Sequence, residues 1–333
     1  MANPVLVEVT RGGLVESRHR GALAVIDADG KTVLAVGDVA RPVFPRSAVK
    51  ALQALVLIES GAADRYALDD KHLALACASH SGEPAHVDGV ARMLAQAGLD
   101  ASALCCGTHW PVSQPAALAL ARTGAASALH NNCSGKHAGF LCAACAMGVE
   151  HAGYWRPEHA VQRAVHAALE DMTGTVLSPD RRAVDGCSVP TWAAPLQNLA
   201  RALAKFGTGQ GLGPERGRAA ARLRLACGQN PWYVAGSGRF CTEIMQLLGT
   251  RAYVKTGAEG VFCGALPELG LGIAVKCDDG AGRAAEAIIA AVIARFLPLQ
   301  DSERSGLAHL LRPTLRNWNG IEVGALRVTE ALA

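Results

Sequence analysis

Ser47 and Lys50 stand three residues apart in the stretch Phe44-Pro45-Arg46-Ser47-Ala48-Val49-Lys50, which runs into the apolar ALQALVLIESG. Residues three apart share a helix face, and the start of a helix carries partial positive charge. A lysine desolvated there loses proton affinity, and its neutral amine can take the proton of a neighbouring hydroxyl. The spacing is that of an activated nucleophile, Ser47, with Lys50 as its base. The plain alternative is a serine that caps a helix and a lysine that snorkels to solvent. An ammonium buried without a partner is costly, so either chemistry or exposure must account for Lys50.

A second lysine motif lies far downstream, Lys255-Thr256-Gly257 in AYVKTGAEG. S-x-x-K early and K-T-G late is the order found in penicillin-binding proteins and serine β-lactamases. There a strand lies against the start of the nucleophile's helix and brings a second lysine to it; a solvated strand lysine is the alternative for Lys255. Between the two motifs, LALACASHSGE reads as an apolar, strand-like run that breaks into the polar turn Ser79-His80-Ser81-Gly82-Glu83, the kind of segment where active-site groups gather. Ser79 can relay protons between Lys255 and a substrate, or belong to an ordinary Ser/Gly loop. No S-D-N triplet is present, which argues against a true β-lactamase.

The elements that position these residues change character twice. VLVEVTRG, GALAVID and KTVLAVG read as strands separated by turn residues, followed by helical segments that end at Gly61, Gly98 and Gly174. From about residue 230 strands return in AYVKTGAEG, VFCGAL and GIAVKC, before a last long helix in GRAAEAIIAAVIARFL. KFGTGQGLGPERGR reads as a surface loop. The expected architecture is a single α+β domain over 1–333, its antiparallel sheet built from about 1–45 and 230–297 around a mostly helical middle at about 46–229.

Composition limits the function. A chain of 333 residues, half of them apolar, can bury a large core. A net charge of +3 with few aromatic residues offers no basic stripe or stacking platform for nucleic acid. The start MANPVLVEVTRGG lacks the basic and apolar regions of a secretory leader, and no run of about 18 uncharged apolar residues suggests a membrane span. A cytoplasmic protein is expected. Eleven cysteines scattered through apolar stretches read as small core residues rather than a disulfide framework; the Cys142-x-x-Cys145 pair in FLCAACAMG is among them.

Taken together, FPRSAVKALQ, CASHSGE, HNNCSGKHAGFL, VDGCSVPTWAAPL and VKTGAEGVF resemble the Rhizobium etli-type L-asparaginases, the asparaginase II family with a serine β-lactamase-like fold. The resemblance covers nearly the whole chain. It implies hydrolysis of L-asparagine to L-aspartate and ammonia through two Ser-Lys pairs, Ser47 with Lys50 and Ser79 with Lys255, beside one zinc ion held by Cys133, Lys136 and Cys187 and serving substrate binding. A homodimer is the expected assembly.

From the residues alone the metal set is unusual, because zinc takes Cys, His or carboxylate ligands and a lysine must be neutral to coordinate. His137 and Asp185 flank these positions; either can hold the substrate's amino or carboxylate group or orient a ligand, and a surface histidine and a turn aspartate are the plain alternatives. Arg46 is a further candidate for the α-carboxylate. Two other functions fit part of the pattern: a serine glutaminase or other β-lactamase-like acyl hydrolase, and a non-enzymatic zinc or redox protein. The second leaves FPRSAVK and VKTG unexplained.

Overall fold

Strands Val5–Arg11 and Leu14–Asp27 turn back on one another at Gly12 (φ 55°) and seed the main sheet of the chain. The computed structural model describes residues 2–332. Its sheet is antiparallel throughout, in the order Thr314–Arg316, Glu322–Val328, Val5–Arg11, Leu14–Asp27, Leu271–Cys277, Val261–Leu266, Tyr253–Thr256, with Thr32–Val36 also pairing on Leu14–Asp27. Val261–Leu266 and most of Leu271–Cys277 are buried along their whole length, as strands covered on both faces must be. The helices Leu196–Thr208 and Gly282–Phe296 pack against them. The fold is α+β, with N- and C-terminal segments sharing one sheet and helices between, as expected.

Several local expectations are corrected. The run LALACAS is no strand: Asp70–Ala76 is a helix opened by Asp69, whose carboxylate accepts from His72 N at 3.1 Å while Asp69 N donates to His72 Nδ1. Leucine and alanine favour helix, and so short an apolar run has no period that separates the two states. The expected loop KFGTGQGLGPERGR holds the end of helix Leu196–Thr208, closed by Gly209 (φ 75°), and the start of helix Pro214–Gln229. Strands resume at Tyr253, not near 230, because Pro231–Ala235 and Phe240–Leu248 are helices. Gly282–Phe296 is not the last element either. Helix Asp301–Leu311 follows, and the strand Glu322–Val328 beyond it pairs with Val5–Arg11.

Two glycines bring the site's segments together. A Cβ on Gly135 would lie 2.3 Å from Leu75 O, so only glycine lets the buried helix Ser134–Ala146 touch the end of Asp70–Ala76. A Cβ on Gly257 would lie 2.9 Å from Pro45 O, which presses the end of the Tyr253–Thr256 strand onto the turn before Ser47. The glycine of K-T-G is thus a spacing device. Among the described residues no helix is long and apolar enough to cross a membrane, and all eleven cysteines are free thiols. Cys142 is buried, whereas Cys145 is half-buried.

Candidate active site

Ser47 does not open a regular helix. Arg46–Val49 is a 3₁₀ turn, Ala48 N donating to Pro45 O at 3.0 Å, and short helices Lys50–Gln53 and Leu55–Glu59 continue from it. Arg46 occupies the left-handed region (φ 51°), a conformation that costs a non-glycine residue about 1–3 kcal/mol. Its Nε donates to Asp185 Oδ1 at 2.5 Å, and this pair helps to hold the backbone just before Ser47. The Ser47 side chain caps nothing and has no hydrogen-bond partner among the described residues.

Lys50 does not snorkel; it is 0% exposed. Its Nζ donates to Ala78 O at 2.6 Å, Ser79 Oγ at 3.0 Å and Cys133 Sγ at 3.1 Å, with Asn132 O farther off at 3.5 Å. The three near acceptors match the three protons of an ammonium. Lys50 is therefore turned to Ser79 rather than to Ser47. Lys255, 1% exposed, reaches the same hydroxyl: its Nζ lies 2.8 Å from Ser79 Oγ and 2.8 Å from Thr256 O. Burial, then the charge of Lys50, pulls the Lys255 amine down to about 7. As a free base it donates to Thr256 O and accepts the Ser79 proton, while Ser79 Oγ accepts from Lys50. The two lysines and Ser79 form one directed chain.

The cysteines close the other side. Lys136 Nζ lies 3.1 Å from Cys187 Sγ, and Cys133 Sγ lies 3.1 Å from Lys50 Nζ. The hydrogen bond from Cys187 leads the effects that hold the Cys133 thiol well below the usual range, and the charges of Lys50 and Lys136 add to it against burial. The same bond, with burial, pushes Cys187 up. Burial opposes the charge of Lys136, yet the neighbouring Cys187, Cys133 and Asp185 keep it above the ordinary lysine value. Burial likewise opposes the charge of Asp185, but Lys136 and Arg46 hold its carboxyl low. His137 is no surface residue. It is fully buried; Nδ1 meets Tyr154 Oη at 2.6 Å, and Nε2 has no partner among the described residues.

Eight of the ten residues singled out in the sequence fall into two clusters, Lys50, Ser79 and Lys255 on one side and Cys133, Lys136, Cys187, Asp185 and Arg46 on the other, linked through the Lys50–Cys133 contact; Ser47 adjoins them only as the chain neighbour of Arg46, and His137 follows Lys136 but turns its ring to Tyr154. Sequence reasoning missed Ala78 O, which receives Lys50. It also missed Asn131, whose Oδ1 accepts from Cys133 N at 2.9 Å and whose Nδ2 donates to Cys106 O and Gly107 O. Backbone acceptors carry no residue-type signal, but the doublet Asn131-Asn132 before Cys133 was available. Two backbone donors remain open, since Ser47 N–H and Ala258 N–H have no hydrogen-bond partner among the described residues, whereas Ser79 N–H donates to Val234 O at 2.9 Å. A cavity of about 350 Å³ bounded by Gly82, Pro84, Pro111, Leu120 and His130 is lined by none of the ten.

The sequence profile of the L-asparaginase II family matches residues 7–328. No curated protein matches the chain. Among solved structures, a β-lactamase from Mycobacterium bovis is 16% identical over 84% of this chain and 95% of its own, with a TM-score of 0.40. The native form of Mglu is 15% identical over 85% of this chain and 66% of its own, with a TM-score of 0.35. Both likenesses are loose.

Proposed function

The chain belongs to the L-asparaginase II family, and from that premise we propose that it hydrolyses L-asparagine to L-aspartate and ammonia through an acyl-enzyme on Ser47. The observation that carries this reading is the Lys50–Ser79–Lys255 chain, which ends in a lysine poised as a base near neutral pH. Ser47 Oγ attacks the side-chain carbonyl. Lys50 passes a proton to Ser79 as Ser79 passes one to Lys255, and the neutral Lys50 amine left behind takes the Ser47 proton, so the net transfer is from Ser47 to Lys255. The open N–H groups of Ser47 and Ala258 supply the oxyanion donors. The same chain returns the proton to the departing ammonia, and water then releases aspartate.

A second reading has one observation in its favour: the hydroxyl bonded to the free-base lysine is Ser79, not Ser47. Two others weigh against it. Ser79 is buried while Ser47 is half-exposed, and the Ser79 N–H is already committed to Val234 O. Arg46, Asp185 and the unpartnered His137 Nε2 are the groups available to hold the substrate's charged end.

Among the described residues no three His, Cys, Asp or Glu side chains converge on a metal position, so an ion at the cysteine pair needs a further ligand of another kind, and Lys136, 3.1 Å from Cys187 Sγ, is the one we propose. The two thiols are soft donors of the kind zinc takes, and Lys136, whose charge Cys187, Cys133 and Asp185 favour in the metal-free protein, can join them only once it has given up its proton. A bound zinc ion would supply positive charge to fix the substrate's head group, and Cys133, Lys136 and Cys187 are the residues that would hold it. Cys187→Ser is expected to lose the metal and raise KM more than it lowers kcat. Elemental analysis of protein purified without chelators checks this, and a wild type without zinc would refute it. The protein is further proposed to be a cytoplasmic homodimer.

Substrate choice tests the function itself. With the head group held by fixed charges, glutamine's extra methylene carries its amide carbon past Ser47, and small misplacements cost heavily in rate. Ammonia release is expected to favour asparagine over glutamine by about 100-fold or more in kcat/KM, with no turnover of a chromogenic β-lactam. Equal values for the two amides would support a glutaminase.

A further inference from the structure

We propose that His80 is a positioning residue: its imidazole ties the Ser79 turn to the start of helix Ser134–Ala146 and so holds Ser79 Oγ within reach of both Lys50 and Lys255. The inference rests on the reading of the Lys50–Ser79–Lys255 chain as the proton path. Ser79 has no side-chain partner except the two lysines, so its place depends on its backbone and on its neighbour.

His80 is fully buried, and its backbone N–H and both ring nitrogens are committed. Its backbone N donates to Asn132 O at 3.3 Å. Gly82 N donates to Nδ1 at 3.1 Å, which fixes the ring proton on Nε2; Nε2 then donates to Ser134 Oγ at 2.9 Å, and Ser134 Oγ donates to Leu129 O at 2.8 Å. Every donor in this path has an acceptor. Ser134 directly follows Cys133, the thiol that Lys50 touches. His80 therefore spans the gap between two of the groups that Lys50 bonds.

The ring face is fixed as well. His80 stacks on His86 at 5.0 Å and 14°, and His86 stacks on Trp232 at 4.0 Å and 7°. His86 is oriented by the same pattern, Nδ1 accepting from Glu83 N and Nε2 donating to Trp232 O. The stack of three near-parallel rings adds to the two ring hydrogen bonds in fixing the orientation of His80. A second ring proton would face the Gly82 N–H; burial and the charges of His86, Lys50, His130 and His109 all oppose it. No ring nitrogen is left for substrate, so the effect of His80 must pass through Ser79.

The test compares His80→Ala, His80→Gln and Ser134→Ala in steady-state ammonia release across pH. A glutamine can place an N–H donor where Nε2 lies. His80→Ala is expected to lower kcat about 100-fold while KM changes less than about threefold, and to move the acidic limb of the kcat profile away from its position near pH 7. His80→Gln should recover at least about a tenth of the wild-type kcat, with the limb restored. Ser134→Ala should fall in the same direction and carries the test if His80→Ala does not fold. An active wild type whose folded variants keep kcat and the pH limb would overturn the inference alone, as would equal loss in the Ala and Gln variants with an unmoved limb. A wild type that releases no ammonia from asparagine would remove the reading on which the inference stands.

Discussion

Lys255→Met is expected to lower kcat by about 10²–10⁴-fold, the range for losing a general base, while leaving the protein at least as stable as wild type at pH 7. The two effects have one origin. Lys255 is taken wholly out of water beside the charge of Lys50, which lowers its pKa to about 7 from the ordinary lysine value of 10.5. Between those two values the unfolded chain holds a proton that the folded chain lacks. Unfolding then takes up protons, and the contribution of this residue to stability rises with pH through the window. Through the window the residue is a net cost that grows by about 1.4 kcal/mol for each unit that pH falls from 10.5 towards 7, and it levels off below. Methionine fills nearly the same volume without that cost. The melting-temperature advantage of the variant should therefore be largest near pH 7 and shrink towards pH 10, and wild-type kcat/KM should rise through an apparent pKa near 7. A variant that loses stability equally at both pH values would show that Lys255 is not held neutral. Full activity in the same variant would remove Lys255 from the proton path.

What could be read from the residues differs between the fold and the site for physical reasons. The strands at both ends of the chain announce themselves by alternation and glycine turns, and the sharing of one sheet by the two termini follows from their order. LALACAS misleads because a seven-residue apolar run has no room to display a period, and tertiary packing decides its state. The strands Thr314–Arg316 and Glu322–Val328 are missed because they are short and partly exposed, so their pattern is weak. At the site, residue types and motif order pointed to Ser47, Lys50, Ser79 and Lys255, whereas the group Cys133, Lys136 and Cys187 came only from the family resemblance. The partner of Lys50 was not legible. Spacing on a helix placed it beside Ser47, but Arg46 in the left-handed region and the 3₁₀ turn after it change the direction of that face, and a lysine's four-carbon stem reaches across to Ser79. A local periodicity argument cannot see a neighbour 29 positions away, which is where the hydrogen bond goes.

That difference makes the identity of the nucleophile the sharpest question the geometry raises. If Ser47 carries the acyl group, Ser47→Ala removes the only atom that can form the ester, and activity should fall by about 10⁴-fold or more. Ser79→Ala cuts the link between the lysines but leaves the nucleophile, the open N–H pair at Ser47 and Ala258, and the substrate-holding groups. Its loss should be about 10²–10³-fold, within the span of a proton-transfer defect. A diazoketone analogue of asparagine separates the two serines chemically, because the attacked carbon loses N₂ and becomes joined to the serine oxygen in a stable ether. Peptide mapping of the labelled protein is expected to place the adduct on the peptide containing Ser47. Ser79→Ala should still label, at a reduced rate, and Ser47→Ala should not label at all. An adduct on Ser79, or labelling that survives in Ser47→Ala and vanishes in Ser79→Ala, would make Ser79 the nucleophile with Lys255 as its direct base. The half-exposed Ser47 and its unpaired N–H would then need a different role, most simply the binding of the departing ammonia.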